Sequence, residues 1–455
     1  MYKKLRFFFR LYKAFIKKYF ILLLLGLACG IATFFLLPKI TSSLPKVRTI
    51  SQIGIVGVYS LSNLPIEIQH QISLGLTIID TSGQPVPSIA KSWTTQDSGK
   101  TYVFEINTSL KWQNGANLTS KDIQYNFKDA AIEYPDSSHL VFKLQDPYSP
   151  LPTVLARPIF KSISAKHFLE KSEYLGLGSY KIQNYHKNGQ YLDWILLTPV
   201  TKASNLPNLK YTFYSSLQQA KTAFKLGLID TLTNLSDPAE LTAWPKAKIT
   251  PVVQLDRHMA IFFNTQDPQL QGASGKNLRL SLAYAIDKSK FTNRALGPFS
   301  KNSWVASTNL KTYELDLTKA KSLLEKVEKI PDQLTLTTLP LYLPTANQIK
   351  LDWEALGLHV NLQVLPEIPP DFQILLVTQA IPTDPDQYNL WHSTQETTNL
   401  THLKNPRIDK LLEDGRKTFD PKERLALYTD FQKYLLDEVP AVFLYYPTTY
   451  ILTRN

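Results

Sequence analysis

Hydrophobic positions divide the chain into one long unbroken run near its start and a longer region of short, patterned segments. The run, Tyr19 to Leu37, holds nineteen residues without a charge, and a helix of that length would be about 28 Å long. Farther along, Tyr102, Phe104 and Ile106 alternate with other residues, which predicts a strand. Leu278 to Ile286 instead carries apolar residues at helical spacing. This mixture predicts α/β lobes.

Start and stop signals extend this prediction along the chain. Asp316 is a suitable N-cap for the helix that follows it, and Pro421 is suited to a first helical turn. Thr119 and Asp122 resemble a capping box, so a helix is expected after them, with Ile123, Phe127 and Ala130 on one face. The other predicted elements are helices at 217–228, 317–327 and 344–356, a strand at 139–144 and an extended segment at 441–452.

The charges around the apolar run indicate a membrane anchor. Seven Lys and Arg residues precede the run between positions 3 and 18, and Pro38 and Lys39 follow it. Basic residues favour the cytoplasmic side of a membrane helix, and nineteen apolar residues nearly match the hydrocarbon thickness. We therefore expect a basic cytoplasmic tail at 1–18, a transmembrane helix at 19–37, a linker at 38–49, and the remaining chain outside the cell.

Two other N-terminal signals remain open as alternatives. A cleaved signal peptide has an apolar core of about 7–15 residues and a cleavage site of small residues, and the segment from Phe34 to Leu37 offers no such site. A lipoprotein signal would end at Cys29, but Gly26 occupies the position where such signals carry leucine. The prediction is an uncleaved anchor.

The net charge of +12 is concentrated in the N-terminal segment. Residues 1–48 contain ten Lys and Arg and no Asp or Glu, which leaves 40 basic and 38 acidic residues in the other 407. A protein that binds nucleic acid is expected to carry its basic surface on the folded domain. The distribution therefore indicates the membrane as partner and argues against nucleic acid.

One segment carries a specific resemblance. Residues 75–130 contain, in order, GLTIIDTSGQPVPSIAKSW, SGKTYVFEI and KWQNGANLTSKDI. This segment closely resembles the opening signature of bacterial extracellular solute-binding proteins of the oligopeptide, dipeptide and nickel class, family 5. The resemblance continues at Gly178 to Ile182, Phe262 to Thr265, Leu278 to Lys288 and Asp384 to Asp386, so it covers nearly all of 50–455.

The resemblance implies a two-lobed periplasmic-binding-protein (flytrap) fold, preceded by the transmembrane helix. Lobe I would be discontinuous, an inserted subdomain would interrupt it, and the ligand would lie between the lobes, whose closure would bury it. The expected boundaries are 50–66, 169–255 and 441–455 for lobe I, 67–168 for the inserted subdomain, and 256–440 for lobe II.

The function implied by the resemblance is capture of a solute, most simply an oligopeptide, for an ABC importer. The partners would be the permease subunits and, through them, the ATPase subunits. The chain lacks a His-Glu-x-x-His motif and a Gly-x-Ser-x-Gly motif, and a single cysteine excludes a cysteine-type zinc site. The sequence therefore predicts a binding protein and no enzyme, with no catalytic residue, metal ligand or cofactor.

Two departures from the family pattern bear on the ligand. The inserted subdomain is about twenty residues short between Lys128 and His139. Peptide-binding relatives often place an aspartate against the peptide's α-ammonium, and Ile381 occupies the corresponding position here. The alternatives are therefore the same fold binding a nickel chelate, haem or an oligosaccharide, or a surface sensor that works without an importer.

Candidate ligand contacts come from the segments that match the family's cleft. An aromatic wall with polar groups suits a ligand with apolar side chains and a polar backbone, and a carboxylate suits a cationic end. Each candidate also has a structural explanation, namely turn formation for the aspartates, packing for the tryptophan, and a backbone bond for the asparagine. The candidates are Asn264, Asp384, Asp386, Tyr388, Trp391, His392, Tyr445 and Tyr446.

Overall fold

The N-terminal segment is described only in part. The computed structural model describes residues 9, 12–22, 24–27, 30–31, 34, 49–163, 173–201 and 205–454. Residues 12–22 and 24–27 are helical. Within the described part of the chain, no helix is both long enough and apolar enough to cross a membrane. Cys29, residues 1–8 of the predicted tail and residues 38–48 of the predicted linker lie outside the described residues.

Lobe I is built on a seven-stranded sheet with the order β10-β11-β12-β1-β13-β20-β14. Two helices, α1 (Ile66–Ile72) and α3 (Leu217–Leu226), accompany it. Helix α3 confirms the helix predicted at 217–228: Ser216 caps its first turn, and Gly227 ends it with a φ of 77°, which a glycine adopts without strain. The strands are β1 (Ile50–Val56), β10 (Tyr180–Asn188), β11 (Tyr191–Pro199), β12 (Asn208–Tyr214), β13 (Thr231–Leu235), β14 (Ala247–Val253) and β20 (Thr448–Arg454).

The inserted subdomain has its own core beneath a four-stranded sheet with the order β4-β5-β7-β6. Its core runs from Leu76 to Leu175, whereas Ile68 and Ile72 of α1 pack in the core of lobe I. The junctions therefore lie later than the predicted bounds of 67 and 168. The elements are β2 (Thr77–Ile79), β3 (Pro85–Pro87), β4 (Ala90–Gln96), β5 (Thr101–Ile106), β6 (Ala130–Glu133), β7 (His139–Leu144), α2 (Leu151–Val154), β8 (Lys161–Ile163) and β9 (Glu173–Leu175).

The helix predicted after Thr119 is wrong, although its cap is present. Thr119 and Asp122 form the capping box, but the helical turn covers only Ser120–Asp122. The chain then extends, and Ala130 opens strand β6, which pairs with β7. Pairing with β7 and burial of Ile123 in the subdomain core outweigh the local helix signal.

Lobe II is built on a five-stranded sheet with the order β17-β16-β18-β15-β19, and buried clusters cover both of its faces. The N-cap predicted at Asp316 is confirmed, since Asp316 accepts the amide of Lys319. Pro421 begins its helix as predicted, and the preceding Asp420 accepts two amides. The elements are β15 (Arg257–Phe263), α4 (Gly272–Ala285), α5 (Leu317–Leu324), β16 (Leu334–Thr338), α6 (Leu343–Glu354), β17 (Val360–Val364), β18 (Ile374–Ala380), α7 (Tyr388–Trp391), α8 (Pro406–Lys417), α9 (Pro421–Glu438) and β19 (Ala441–Tyr445).

Two neighbouring segments cross between the lobes. The first leads from β14 to β15 and the second from β19 to β20. They are joined by a hydrogen bond of 2.8 Å from the backbone N–H of Gln254 to the carbonyl of Pro447. The segment 441–455, expected to lie wholly in lobe I, is divided, because β19 pairs with β15 in the lobe II sheet and β20 with β13 and β14 in the lobe I sheet. These crossings form the hinge between the lobes.

A buried lysine should make the stability of lobe II depend on pH. Lys288 is 1% exposed, its ammonium donates to the carbonyls of Ala283 and Tyr313, and burial lowers its pKa to about 8. The unfolded chain, with a lysine pKa of about 10.4, therefore binds the proton more tightly, so stability rises with pH between about 8 and 10. Between pH 7 and 9.5, the free energy of unfolding of wild type should rise by about 2 kcal/mol more than that of Lys288→Met. Urea unfolding at each pH measures both.

The exposed Lys329 serves as the matched control for this experiment. Lys329→Met should leave the pH dependence of wild type unchanged. Parallel pH profiles for wild type and Lys288→Met would show that burial does not shift the protonation of Lys288.

Candidate functional site

The segment from Ile381 to Gln387 leaves the carboxyl end of β18 at the hinge. Strand β18 runs parallel to β16 and antiparallel to β15, and the amide of Ile381 donates to the carbonyl of Asp256 in the crossing segment at 2.7 Å. The carboxyl ends of parallel strands are where open α/β sheets commonly bind ligands. The sheet therefore places this loop, and helix α7 after it, beside the gap between the lobes.

Two aspartates shape this loop through local hydrogen bonds. One carboxylate oxygen of Asp384 accepts the amide of Asp386 at 2.9 Å, and one of Asp386 accepts the amide of Tyr388 at 3.2 Å. Such bonds from an aspartate to an amide two residues later are typical of turns. The turn formation considered for these residues in the sequence is therefore present.

The same aspartates form ion pairs with arginines of two lobe II helices. Arg424 of α9 binds both oxygens of Asp384, with one contact at 3.1 Å, and Arg416 of α8 binds Asp386 at 2.7 and 3.3 Å. The Asp384 and Arg424 side chains are only 11% and 8% exposed. Burial lowers the pKa of Arg424, but the adjacent carboxylate of Asp384 raises it above its ordinary value. Both carboxylates are thus already neutralised by cations of the protein.

Beside these ion pairs, four side chains form a stack that begins in lobe II and ends in the inserted subdomain. The rings of His392 and Tyr388 stack with centroids 4.0 Å apart, and the guanidinium of Arg416 lies 4.0 Å from the Tyr388 centroid and 5.3 Å from that of Tyr148. The carboxylate of Glu413 lies 3.3 Å from Nε2 of His392 and accepts a hydrogen bond from it. Because Tyr148 belongs to the inserted subdomain, the stack joins the two sides of the gap.

The inserted subdomain also contacts lobe II directly. The amide of Ser149 donates to the carbonyl of Arg416 at 2.8 Å, and the hydroxyl of Thr153 donates to Asp384 at 3.4 Å. The rings of Tyr102 and Phe419 lie 6.2 Å apart. Burial in this junction raises the pKa of Tyr148 to about 12, so its hydroxyl is neutral at physiological pH.

Two cavities lie at this junction. The larger, of about 740 Å³, is lined by residues 127–130, 144–148, 151 and 154 of the inserted subdomain and by Tyr388 and Arg416 of lobe II. The smaller, of about 520 Å³, is lined by Asp384, Arg424 and Trp304 together with residues of the inserted subdomain. Both volumes lie in the range of small-molecule pockets.

Strand β18 has an unpaired edge next to the hinge. Its pairing with β16 ends at Leu376, whereas β18 continues to Ala380. Bonds from Asn264 to Gln373 and from Ile381 to Asp256 show that the odd-numbered residues point their backbone groups toward β15. By alternation, Thr378 and Ala380 point theirs to the other side, where no strand of the described chain pairs with them. These backbone groups are free to bind an extended ligand.

Polar side chains of lobe II lie at this edge, and a lobe I carboxylate acts on one of them electrostatically. The hydroxyls of Tyr342 and Thr378 lie 2.7 Å apart. A hydrogen bond from Arg257 to Asp256 raises the pKa of Arg257, and the charge of Glu67 on helix α1 of lobe I contributes in the same direction. Glu67 therefore lies within electrostatic reach of lobe II across the hinge.

Comparison with known proteins assigns the chain to a family. The model for bacterial extracellular solute-binding proteins, family 5 (middle part), matches residues 84–399. The chain belongs to family 5. The periplasmic oligopeptide-binding protein OppA of Salmonella typhimurium is 22% identical in a 464-position alignment that covers 83% of this chain and 82% of OppA.

Solved structures of similar proteins share the fold. The ABC transporter substrate-binding protein CtaP of Listeria monocytogenes matches with a TM-score of 0.74 and 20% identity, over 90% of this chain and 94% of CtaP. NikZ of Campylobacter jejuni, solved in complex with Ni(L-His), matches with a TM-score of 0.70 and 21% identity, over 90% of this chain and 95% of NikZ. The two-lobed fold expected from the sequence is thereby confirmed.

The predicted contacts of this family 5 protein fall into two groups. Asp384, Asp386, Tyr388 and His392 lie together at the junction, with Trp391 beneath them, where its indole donates to Gln387 at 2.7 Å. The remaining three lie apart: Asn264 donates to the carbonyl of Phe372, the Tyr445 hydroxyl lies 2.9 Å from that of Thr345, and the Tyr446 hydroxyl donates to the carbonyl of Phe299. A ligand role for any of the eight stays a prediction.

Several residues that build the junction carried no signal in the sequence. Arg416 and Arg424 are 30 and 40 residues from their aspartate partners, so local patterns cannot link them. Tyr148 and Thr153 belong to the inserted subdomain and reach lobe II only in the folded chain. The departure at Ile381 was visible, and that side chain is buried among lobe II residues.

Removing one carboxylate of the buried ion pairs should strongly destabilise lobe II. Asp384→Ala leaves the guanidinium of Arg424 buried without its counter-ion, which costs about 3–5 kcal/mol. Asp414 provides the matched control, because its pair with Lys410 is exposed and Asp414→Ala should cost at most about 1 kcal/mol. Urea unfolding followed by tryptophan fluorescence measures both. Equal losses in the two variants would contradict a structural role for the Asp384 pair.

Proposed function

We propose that the chain is a membrane-anchored extracellular substrate-binding protein of an ABC importer that captures oligopeptides between its lobes and delivers them to the permease. The observation that carries the peptide assignment is the unpaired edge of β18 at Thr378 and Ala380. An extended peptide presents alternating N–H and C=O groups that match such an edge, whatever its side chains are. Binding at the hinge would couple these bonds to closure of the lobes.

The ammonium group at the N-terminus of the peptide is expected to contribute little to the binding affinity at this edge. Ile381 is apolar and buried, and Asp384 and Asp386 are engaged by Arg424 and Arg416. No carboxylate of the 381–387 loop is therefore free to neutralise an ammonium. The proposal accordingly relies on main-chain bonds and on the aromatic walls, and it expects N-acetylated and free peptides to bind with similar affinity.

A nickel chelate is the second candidate ligand. It is favoured by Ile381 at the position where peptide-binding relatives carry a carboxylate, and NikZ, which shares the fold, was solved with Ni(L-His). Binding of a peptide would depend on the unpaired edge of β18, whereas binding of the nickel–histidine complex would not, because a chelate has no extended backbone to pair with this edge. One titration series with both ligand classes therefore separates the candidates.

The anchoring part of the proposal rests on the apolar run and its flanking charges. A helix at 19–37 with a basic tail on its cytoplasmic side retains the protein at the membrane without lipid. Retention should therefore persist in the variant Cys29→Ser, measured as the fraction of protein in membranes after alkaline carbonate extraction. Release of this variant, with retention of wild type, would instead establish lipidation at Cys29.

Proline at position 380 tests the peptide site. Ala380→Pro removes one N–H from the unpaired edge without removing a bond to β15, because the Arg257–Ala380 pair does not exchange hydrogen bonds. We expect a tetra-alanine peptide to raise the melting temperature of the full chain in detergent, and Ala380→Pro to weaken its binding about 3- to 10-fold, the effect of one hydrogen bond. Isothermal titration measures the affinity.

Ala380→Ser keeps the N–H and is the matched control, so it should bind the peptide like wild type. Unchanged affinity in Ala380→Pro, with an unchanged melting temperature of the free protein, would contradict binding at this edge. Stabilisation by Ni(L-His) and by no peptide would replace the peptide assignment with the chelate.

A further inference from the structure

The larger cavity at the junction is separate from the edge of β18. It measures about 740 Å³, and its lining comes from the inserted subdomain and from the segment of lobe II that includes Tyr388 and the end of helix α8. No residue between Val377 and Ile381 lines it. A ligand bound along β18 would therefore leave this compartment to be occupied by something else.

The two walls of the cavity carry charges of opposite sign. Lobe II contributes Arg416 and Lys417, and the inserted subdomain contributes Asp129 and Asp146. Lys417, Asp129 and Asp146 are exposed and form no ion pair with any described residue. A ligand that spans the cavity would meet cations on one side and carboxylates on the other.

Each wall also carries one charge of the opposite sign. Glu413 on the lobe II wall lies 3.3 Å from His392, and its carboxylate offsets one of the two lobe II cations, so this wall keeps one more cation than carboxylate. Lys128 on the other wall precedes Asp129 and is exposed without a partner in the described chain. With Lys128 included, the inserted subdomain still contributes one more carboxylate than cation, and the polarity between the walls remains.

Arg416 is a fixed donor in this cavity. Its Nε and Nη2 atoms bind Asp386, its guanidinium is stacked between Tyr388 and Tyr148, and no described residue accepts from its Nη1. A guanidinium held in this way loses little side-chain entropy when it binds a carboxylate. The aromatic rings on either side offer apolar surface to the rest of a ligand.

We propose that this cavity binds a small zwitterion, a dipeptide or a free α-amino acid, with its carboxylate toward Arg416 and Lys417 and its ammonium toward Asp129 and Asp146. This site goes beyond the oligopeptide site at β18 and is independent of it. A bound zwitterion contacts both the inserted subdomain and lobe II, so it stabilises the contact between them.

The test uses the full chain in detergent and three probes: dialanine, N-acetyl-dialanine and dialanine amide. Wild type should bind dialanine about fivefold more tightly than either blocked form, the effect of one exposed charge pair. Lys417→Gln should lose most of its preference for dialanine over the amide. Asp146→Asn should lose most of its preference for dialanine over the acetylated form. Lys404→Gln, an exposed lysine outside this cavity, is the control and should behave like wild type.

Each result separates this site from the peptide site. Full retention of the preference for unblocked ends in Lys417→Gln and Asp146→Asn would overturn the inference, as would the absence of dialanine binding to wild type. Loss of dialanine binding in Ala380→Pro, with Lys417→Gln unaffected, would place the dipeptide at β18, which supports the proposed function and overturns this inference. Unchanged dialanine binding in Ala380→Pro, with the expected changes in the cavity variants, supports it.

Discussion

The two aspartate–arginine pairs that hold the 381–387 loop are the interaction on which the region between the lobes depends. A buried charge without its counter-ion costs several kcal/mol, so Arg424 and Arg416 fix the loop against helices α9 and α8. The loop in turn sets where β18 ends and where Tyr388 begins the next helix. These ion pairs border both junction cavities, because Asp384 lines one and Arg416, the partner of Asp386, lines the other.

In the function proposed above, the same pairs leave the aspartates of this loop unavailable to a cationic ligand. A carboxylate that is already paired gains little from a second cation and would have to surrender the first. Main-chain N–H and C=O groups can bind a ligand without breaking an ion pair. The register of β18 leaves those of Thr378 and Ala380 unpaired beside the hinge. Binding there would act on the two crossing segments that also join the lobes.

The elements that the sequence predicted well are those specified locally. Asp316 and Asp420 cap helices because the accepting carboxylate and the donor amides lie within three residues of each other. The family resemblance correctly indicated the two-lobed fold, because it depends on many ordered matches along the chain. The cap at Thr119 was also correct, but the helix expected after it was not, since the pairing of β6 with β7 is a non-local contact.

The arrangement of the site could not be predicted for the same reason. The partners of Asp384 and Asp386 lie 40 and 30 residues away, and Tyr148 lies on another part of the molecule. The unpaired edge depends on β16 ending before β18, which neither strand's own sequence indicates. Tyr445 and Asn264 matched the family pattern in sequence, yet their side chains bond elsewhere in the fold.

Hydrogen exchange of individual amides in β18 tests the central claim most directly. With saturating tetra-alanine, the amides of Thr378 and Ala380 should exchange more slowly, because a bound backbone would accept from them. The amides of Val377 and Gln379 point toward β15 and should change much less. Unchanged exchange at Thr378 and Ala380, under conditions where the peptide raises the melting temperature, would contradict capture of the solute by this edge.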